Sequence, residues 1–404
     1  MKILVLAPQP FFVNRGTPIA TLKLLRVLSL DGHDLDVVSF HEGVSVDVPR
    51  CRHYRIPRLP LIRNIKPGFS WKKVLCDFFL LFTALKLCQR NQYDVVHAVE
   101  ESVFIAIVLK VLFGTPYVYD MDSSLVHQLQ EQKPWLRCLR RPLAYCQGAA
   151  IRGSCGIVAV CQSLEAMALS YTDAVPIVRV EDSSLFSLES DDQADVAAEA
   201  EQELPPGPIV MYAGNLQHYQ GIDLLLDAFV LVYHQHAAVQ LVIVGGSVED
   251  VEPYRARAKE VGIGDRVHFL GQRPVEQLGR YLRRADVLVS PRTKGDNTPM
   301  KVYSYLEAGR PVLATRLLTH TQILDDTIAL LVPPNPLDFA RGMMALLNDP
   351  LLRNELAGRG KAHLRAVYSP AELDGRLSEF YQELSGMLST NAVMTFSESQ
   401  VESV

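Results

Sequence analysis

A chain of 404 residues with 48% hydrophobic and 21% charged side chains has room for two domains, each with its own core, and is not the composition of a disordered protein. A net charge of −5 argues against a bulk nucleic-acid binder. Seven cysteines, all in the first half and without close metal-type pairs, point to reduced thiols and a cytoplasmic setting.

Met1–Val5 is a short apolar strand that runs into Pro8 and Pro10, so it does not read as a signal peptide. No uncharged apolar stretch reaches the roughly 18–20 residues of a spanning helix. Lys2–Ala7 predicts a central parallel strand, followed by a long turn, a helix from about Ile19 to Leu30 and a strand at Asp36–Phe40. This is a βαβ unit whose turn lacks G-x-G-x-x-G and holds only Gly16. Loops at strand C-termini of such sheets face the ligand crevice, which makes Asn14–Pro18 a candidate site.

Cys51–Lys73 carries Arg52, Arg55, Arg58, Arg63, Lys66, Lys72 and Lys73 and no acid, interleaved with Leu59, Leu61, Ile62, Ile65, Phe69 and Trp71. Such a mixture suits an anionic membrane surface, an anionic acceptor, or a solvated loop leading into an amphipathic helix near Ser70. Tyr93–Ala98 predicts a strand with His97 at its C-terminal edge, and Tyr117–Ser124 the next strand and its outgoing loop, with Asp122 in it. Gly156–Ser163 is a strand and helix start, closing a first α/β domain of six or seven strands near Asp182.

Asp191–Gly207 is acidic and alanine-rich and reads as a surface connection. A second series of strands follows: Ile209–Ala213 leading into Gly214, then Val239–Val244, Val267–Leu270, Ala285–Ser290 and Leu330–Val332. Beyond Ala285–Ser290 lies a basic loop with Arg292, Lys294 and Gly295. Asn297 or Thr298 is placed as N-cap of a helix over Met300–Ala308, with Pro299 at the first helical position and Gly309 as terminator. A helix start beside Arg292, Lys294 and Lys301 is an anion site suited to a diphosphate. An ordinary capped helix with solvated lysines is the bland reading. Pro336–Asn348 and Pro350–Leu384 predict helices, and the polar stretch from Met387 predicts a disordered tail.

The stretch Ser290–Val312 resembles the donor-sugar signature of retaining GT-B glycosyltransferases of family 4, P-x-K-x-x-E-Y-x-A-x-G-x-P-V. Pro299, Lys301, Tyr305, Gly309, Pro311 and Val312 fall in register. Tyr93–Ala98 is similar to that family's D-V-V-H-x segment, and the likeness extends over about residues 1–385. It implies an α/β GT-B fold, two Rossmann-like doubly wound parallel-sheet domains facing across a cleft. The boundaries it implies are 1–182 for the acceptor side, 183–207 for a linker and 208–368 for the nucleotide-sugar side. A helix at 369–386 crosses back, and 387–404 is the tail.

The implied reaction moves a sugar, with retention, from a nucleotide-diphosphate sugar to a glycan or lipid-linked acceptor. It needs no cofactor and no metal, since the nucleotide-sugar is a substrate. The implied location is the cytoplasm, peripheral at the inner face of the membrane. Catalytic roles fall on Asp122, Lys301 and His97. Donor contacts fall on Gly16, Gly214, Asn215, Gln220, Arg292, Lys294, Asp296, Asn297, Thr298, Pro299, Met300, Ser304 and Glu307.

Four positions depart from the family pattern. Asn215 and Gln220 replace an Arg and a Lys that hold the donor diphosphate, Ser304 replaces a Glu, and Asp122 stands where a His is common. They leave open a second reading, a catalytically degenerate GT-B binding or scaffold subunit of a glycan-assembly complex. Glu307, three residues after Ser304, lies on nearly the same helical face and is offered as a substitute ribose contact.

Overall fold

The computed structural model describes residues 1–13, 16–60, 62–63, 65, 70–124, 140–188 and 203–401. The chain forms two compact units, Met1–Glu181 with Leu373–Val404, and Asp182–Glu372. Among the described residues no helix is long and apolar enough to cross a membrane.

The first unit is built on seven parallel strands: β1 (Lys2–Pro10), β2 (Asp34–Phe40), β3 (Cys51–Arg55), β4 (Val95–Val99), β5 (Tyr117–Met121), β6 (Gly156–Ala159) and β7 (Ile177–Arg179), in the order β3-β2-β1-β4-β5-β6-β7. β1 sits between β2 (Lys2 opposite Asp34) and β4 (Ile3 opposite Val95). Helices cover both faces of such a sheet, so its central strands are continuous apolar runs. Ile3 to Ala7 are all fully buried. The edge strand β3 was hidden in the basic stretch, because an edge strand tolerates Arg52, His53 and Arg55 where a central one does not. Leu377, Phe380, Tyr381 and Leu384 of the helix Pro370–Val401 complete this core.

The second unit holds six parallel strands, β8 (Ile209–Ala213), β9 (Gln240–Val244), β10 (Val267–Gly271), β11 (Val287–Ser290), β12 (Val312–Thr315) and β13 (Leu330–Val332), in the order β10-β9-β8-β11-β12-β13. The order reverses between β8 and β11, and in the first unit between β1 and β4. In open parallel sheets that crevice, beyond the strand C-termini, is where ligands bind.

Two expectations need correction. The segment from 183 does not begin as a linker. Leu185–Leu188 forms a 3₁₀ turn in the second unit, where the Leu185 N–H donates to Ser304 Oγ (3.0 Å) and Phe186 lies under the Arg283 guanidinium. Residues 191–202 lie outside the described residues. The helical stretch expected over Pro350–Leu384 consists of two helices, Pro350–Val367 and Pro370–Val401, because Pro370 cannot continue the first. The second runs through the region read as a tail, since extending a formed helix costs far less than starting one.

Candidate functional site

The second unit gathers the densest set of expected residues at its β8/β11 reversal. β8 ends in Tyr212-Ala213 and the chain turns at Gly214. The following loop ends at Gly221, the cap of the helix Ile222–Tyr233. The loop after β11 docks on it: the Thr293 N–H donates to the Tyr219 carbonyl (2.9 Å), and a Cβ on Gly221 would overlap the Pro291 carbonyl oxygen at 1.9 Å. The two loops are thereby tied to each other.

Lys301, the first residue of the helix Lys301–Glu307, reaches into this junction. Its Nζ donates to Tyr212 Oη and to Gln220 Oε1, each at 2.8 Å, and stands 4.0 Å from the centre of the Tyr212 ring. Tyr212 Oη in turn donates to the Asn215 carbonyl at 2.6 Å. Gly214, at φ +153°, lies against the Lys301 amine, and a Cβ there would come within 2.9 Å of both Lys301 Nζ and Tyr212 Oη. Burial, then the Arg292 charge, hold Lys301 well below the usual lysine range.

Arg292 is buried. Its Nη1 donates to the Asn297 carbonyl (2.9 Å) and to Thr319 Oγ1 (2.6 Å), and its guanidinium stacks on the Tyr219 ring at 4.9 Å. Gly295 packs on the same guanidinium, where a Cβ would lie 3.3 Å away. His320, fully buried, meets Ser290 Oγ and the Thr315 carbonyl at 2.8 Å each. Burial lowers it to about 3, so it is neutral.

The structure thus brings together Gly214, Asn215, Gln220 and Lys301, with Arg292, Asn297 and Thr298 in the adjoining loop. It alters several roles. The Gly214 N–H is committed to the Val244 carbonyl (2.9 Å) and is not available to phosphate. Neither Asn297 nor Thr298 caps the helix: the cap position is Met300, without a side-chain bond, and Pro299 supplies a carbonyl to the Val302 N–H instead. Thr298 is buried, its hydroxyl without a hydrogen-bond partner among the described residues, while the Asn297 carbonyl serves Arg292. Ser304 is fully buried and accepts the Leu185 N–H, so it is closed off by its own unit. Lys294 is exposed, and Asp296, Met300 and Glu307 are half-buried. The Asp296 carbonyl accepts from Gln322.

Beyond the C-terminal ends of β9 and β10 lies a pocket of about 490 Å³, lined by Gly246, Ser247, Val251, Phe269, Leu270 and Gly271 among others. It adjoins the junction through Gly245, whose hydrogen faces the Gly214 carbonyl so closely that a Cβ would sit 2.0 Å from it.

In the first unit His97 is not a surface group. It is fully buried, with Nδ1 2.6 Å from Tyr381 Oη and Nε2 3.0 Å from Asp120 Oδ2. Both ring nitrogens are used inside the core, which leaves none for a substrate. At the β1/β4 reversal stands Glu100, at φ +50°, 3.7 Å from Lys73 Nζ and accepting from Ser123 Oγ at 3.4 Å. Lys73 also pairs with Glu101 at 2.5 Å. Asp122 lies in the neighbouring loop, half-buried, and Gly16 opens the helix Gly16–Leu30 with open space where a Cβ would be. Asn14 and Arg15 lie outside the described residues. Tyr212 and Glu100 were missed from the sequence, although each had a signal. Tyr212 is a polar-tipped aromatic one residue before a strand's end, and Glu100 is an acid directly after one.

The basic stretch also resolves differently. Ile62 and Ile65 are core residues, Lys73 is ion-paired, and Arg55 donates to the Phe11 carbonyl. Leu61, Lys66 and Phe69 lie outside the described residues. The exposed apolar groups sit instead on the helix Trp71–Arg90: Trp71, Val74, Leu75, Phe78 and Phe82 form one face at i, i+3, i+4, i+7 and i+11. Arg58 and Arg63 before it, and Lys86 on it, are exposed.

Two family models match this chain, one described as glycosyl transferases group 1 over residues 196–363 and one as a glycosyl transferase 4-like domain over residues 15–181. A phosphatidyl-myo-inositol mannosyltransferase of Mycobacterium tuberculosis is 29% identical over 189 residues, 45% of this chain and 48% of that protein. A D-inositol 3-phosphate glycosyltransferase of Nocardia farcinica is 31% identical over 194 residues, 46% and 43% of the two chains. The match spans less than half the length of these curated relatives. In fold, sucrose-phosphate synthase from Thermosynechococcus elongatus superposes with a TM-score of 0.79 at 20% identity, covering 96% of this chain and 99% of that one. Anabaena HepE in complex with UDP-glucose gives 0.71 at 15% identity, covering 95% and 100%. With the two models together spanning most of its length and two parallel-sheet units of the Rossmann-like GT-B fold, this chain belongs to the group 1, family 4-like glycosyltransferases.

Proposed function

We propose that the protein transfers a sugar from a nucleoside-diphosphate sugar to a glycan or lipid-linked acceptor, with retention and without a metal. The observation that carries this is the Lys301 amine beside Gln220 and Gly214 at the β8/β11 reversal. The family pattern has a lysine at position 220. Here Gln220 receives a hydrogen bond from Lys301, so an amine from the neighbouring helix stands in that space. Stabilising the charge that develops on the departing diphosphate is the main work asked of such a site. Lys301 supplies it directly, Arg292 adds its field, and Lys294 is the exposed cation at the entrance. The pocket at Phe269 and Gly271 takes the nucleobase. Asp122 and Glu100 face the acceptor at the other reversal, and Gly16 borders it.

A relative that is a phosphatidyl-myo-inositol mannosyltransferase and a structural neighbour that holds UDP-glucose support a nucleotide-sugar donor and a lipid-linked acceptor. The apolar face of the helix Trp71–Arg90, with its flanking cations, supports a peripheral place on an anionic membrane, at its cytoplasmic side. The scaffold reading is favoured by one observation, the enclosure of Ser304 where the family has a carboxylate.

A thermal-shift screen with UDP, GDP, ADP and their sugar conjugates tests the proposal. A rise in melting temperature with one nucleotide supports donor binding and identifies the base. No shift with any of them favours the scaffold.

A further inference from the structure

The neighbours of the Lys301 amine are unusual for a lysine drawn into a protein. From β8 it meets the oxygen and ring face of Tyr212, and from the following loop the amide oxygen of Gln220. Gly214 closes it from above, with no Cβ to intervene. From the loop after β11 comes another cation, Arg292, and from the turn Leu318–Thr321 a neutral histidine, His320. Tyr305, one turn along the same helix, is occupied with the backbone of Ala213. Among the described residues no carboxylate pairs with Lys301.

Tyr212 is set as an acceptor toward the lysine. Its one hydroxyl hydrogen goes to the Asn215 carbonyl at 2.6 Å rather than to the more distant Gln220 Oε1 at 3.3 Å, so the oxygen that faces Lys301 offers only lone pairs. Gln220 does the same with its carbonyl oxygen. Two acceptors and a π face are therefore aimed at Nζ, all of them neutral.

Resting on the donor-site reading above, we propose that Tyr212 and Gln220 are positioning residues that store Lys301 without a counter-ion, and that arrival of the donor diphosphate draws a proton onto its Nζ. The proton comes from solvent buffer: the Nζ lone pair takes it, the buffer acid gives it up, and no bond of the donor is broken. Burial and the nearby Arg292 disfavour the charged amine in the empty site, and two phosphate groups reverse that balance. Binding then weakens with rising pH by about tenfold per unit wherever the free lysine is neutral and the bound one charged.

Inorganic pyrophosphate, the part common to all such donors, is the probe. Its binding is measured by titration calorimetry in buffers of different ionisation enthalpy near neutral to alkaline pH, corrected for the ionisation of pyrophosphate itself. The wild-type protein is expected to take up about one proton more than Lys301→Arg, whose guanidinium is always charged. Tyr212→Phe keeps the ring and removes the acceptor, so the midpoint of the pH profile moves to lower pH; a purely structural role leaves that midpoint unmoved. Equal uptake by wild type and Lys301→Arg, with both binding, overturns the proposal and spares the donor site. Should Lys301→Arg fail to fold, a flat affinity of the wild type across the same pH range overturns it equally. Absence of pyrophosphate binding by the wild type overturns the donor-site reading itself.

Discussion

The Nδ1 of His97 lies 2.6 Å from the phenol oxygen of Tyr381, joining β4 to a helix 284 residues away in sequence. Both side chains are fully buried. Tyr381→Phe leaves a buried ring nitrogen without its partner, which costs about 1–3 kcal/mol. The denaturation midpoint is expected to fall while nucleotide affinity per folded molecule stays unchanged. A loss of affinity at unchanged stability would restore His97 to the list of substrate groups.

Lys301→Met should separate binding from stability. Each charge-assisted hydrogen bond to phosphate contributes about 1.5–3 kcal/mol, so nucleotide affinity falls roughly 10- to 100-fold. The empty protein becomes more stable at neutral pH, because the folded state holds this lysine below its unfolded value and so disfavours its charged form. In the wild type that penalty is present at low pH and relieved as pH rises, since in between the unfolded chain binds more protons. Chemical denaturation from pH 6 to 9 checks both the offset and the loss of slope. Unchanged nucleotide affinity in this variant sinks the donor role of Lys301.

How much of this was legible follows from what sequence pattern encodes. The central strands were readable because burial on both faces writes a continuous apolar run, as in Ile209–Ala213. The position of Lys301 was readable because it belongs to a short motif. Its partners were not, since Gln220 and Tyr212 are 81 and 89 residues away and meet it only through the sheet order. His97 misled for a related reason. A histidine at a strand end looks available until a residue from the far end of the chain takes its nitrogen. The cations of Cys51–Lys73 looked solvated together, but Lys73 is claimed by Glu100 and Glu101, which follow another strand.

Ser304→Glu tests whether the family carboxylate can simply be restored. The hydroxyl is fully buried and holds the Leu185 N–H, so a longer, charged side chain must displace the 185–188 turn or remain unpaired. The expected result is a loss of several kcal/mol, on the order of that for an uncompensated buried charge, and no gain in nucleotide affinity. A tighter-binding, equally stable variant would show that the turn yields readily to a carboxylate.

Asp77 gives the first unit a pH dependence. Burial, then the charge of Glu101, raise its carboxyl to about 8, with Oδ1 lacking a hydrogen-bond partner among the described residues. A folded value above the unfolded one means stability that is complete below the unfolded value and lost as pH rises through about 8. Asp77→Asn removes this slope and is expected to be more stable than wild type at pH 8 by about 1–3 kcal/mol, and less so at pH 5. Denaturation curves at the two pH values decide it; parallel shifts would mean that Asp77 is ionised in the folded protein throughout.

The exposed face of the helix Trp71–Arg90 makes the membrane proposal open to direct test. Trp71 is 65% exposed, Phe78 54% and Phe82 46%, on one side of a helix whose buried side is Cys76, Leu80, Ala84 and Leu87. Burying three such rings in a lipid interface contributes several kcal/mol at roughly 25 cal/mol per Å² of apolar surface. Electrostatic attraction to anionic headgroups adds about 1 kcal/mol per cation near the surface. Trp71→Ser with Phe78→Ser should therefore abolish co-sedimentation with vesicles containing anionic lipid at low salt. The fold and nucleotide affinity should persist, because neither ring belongs to the core. Wild-type protein that ignores such vesicles, or a double variant that still binds them as tightly, would assign this face to some other partner.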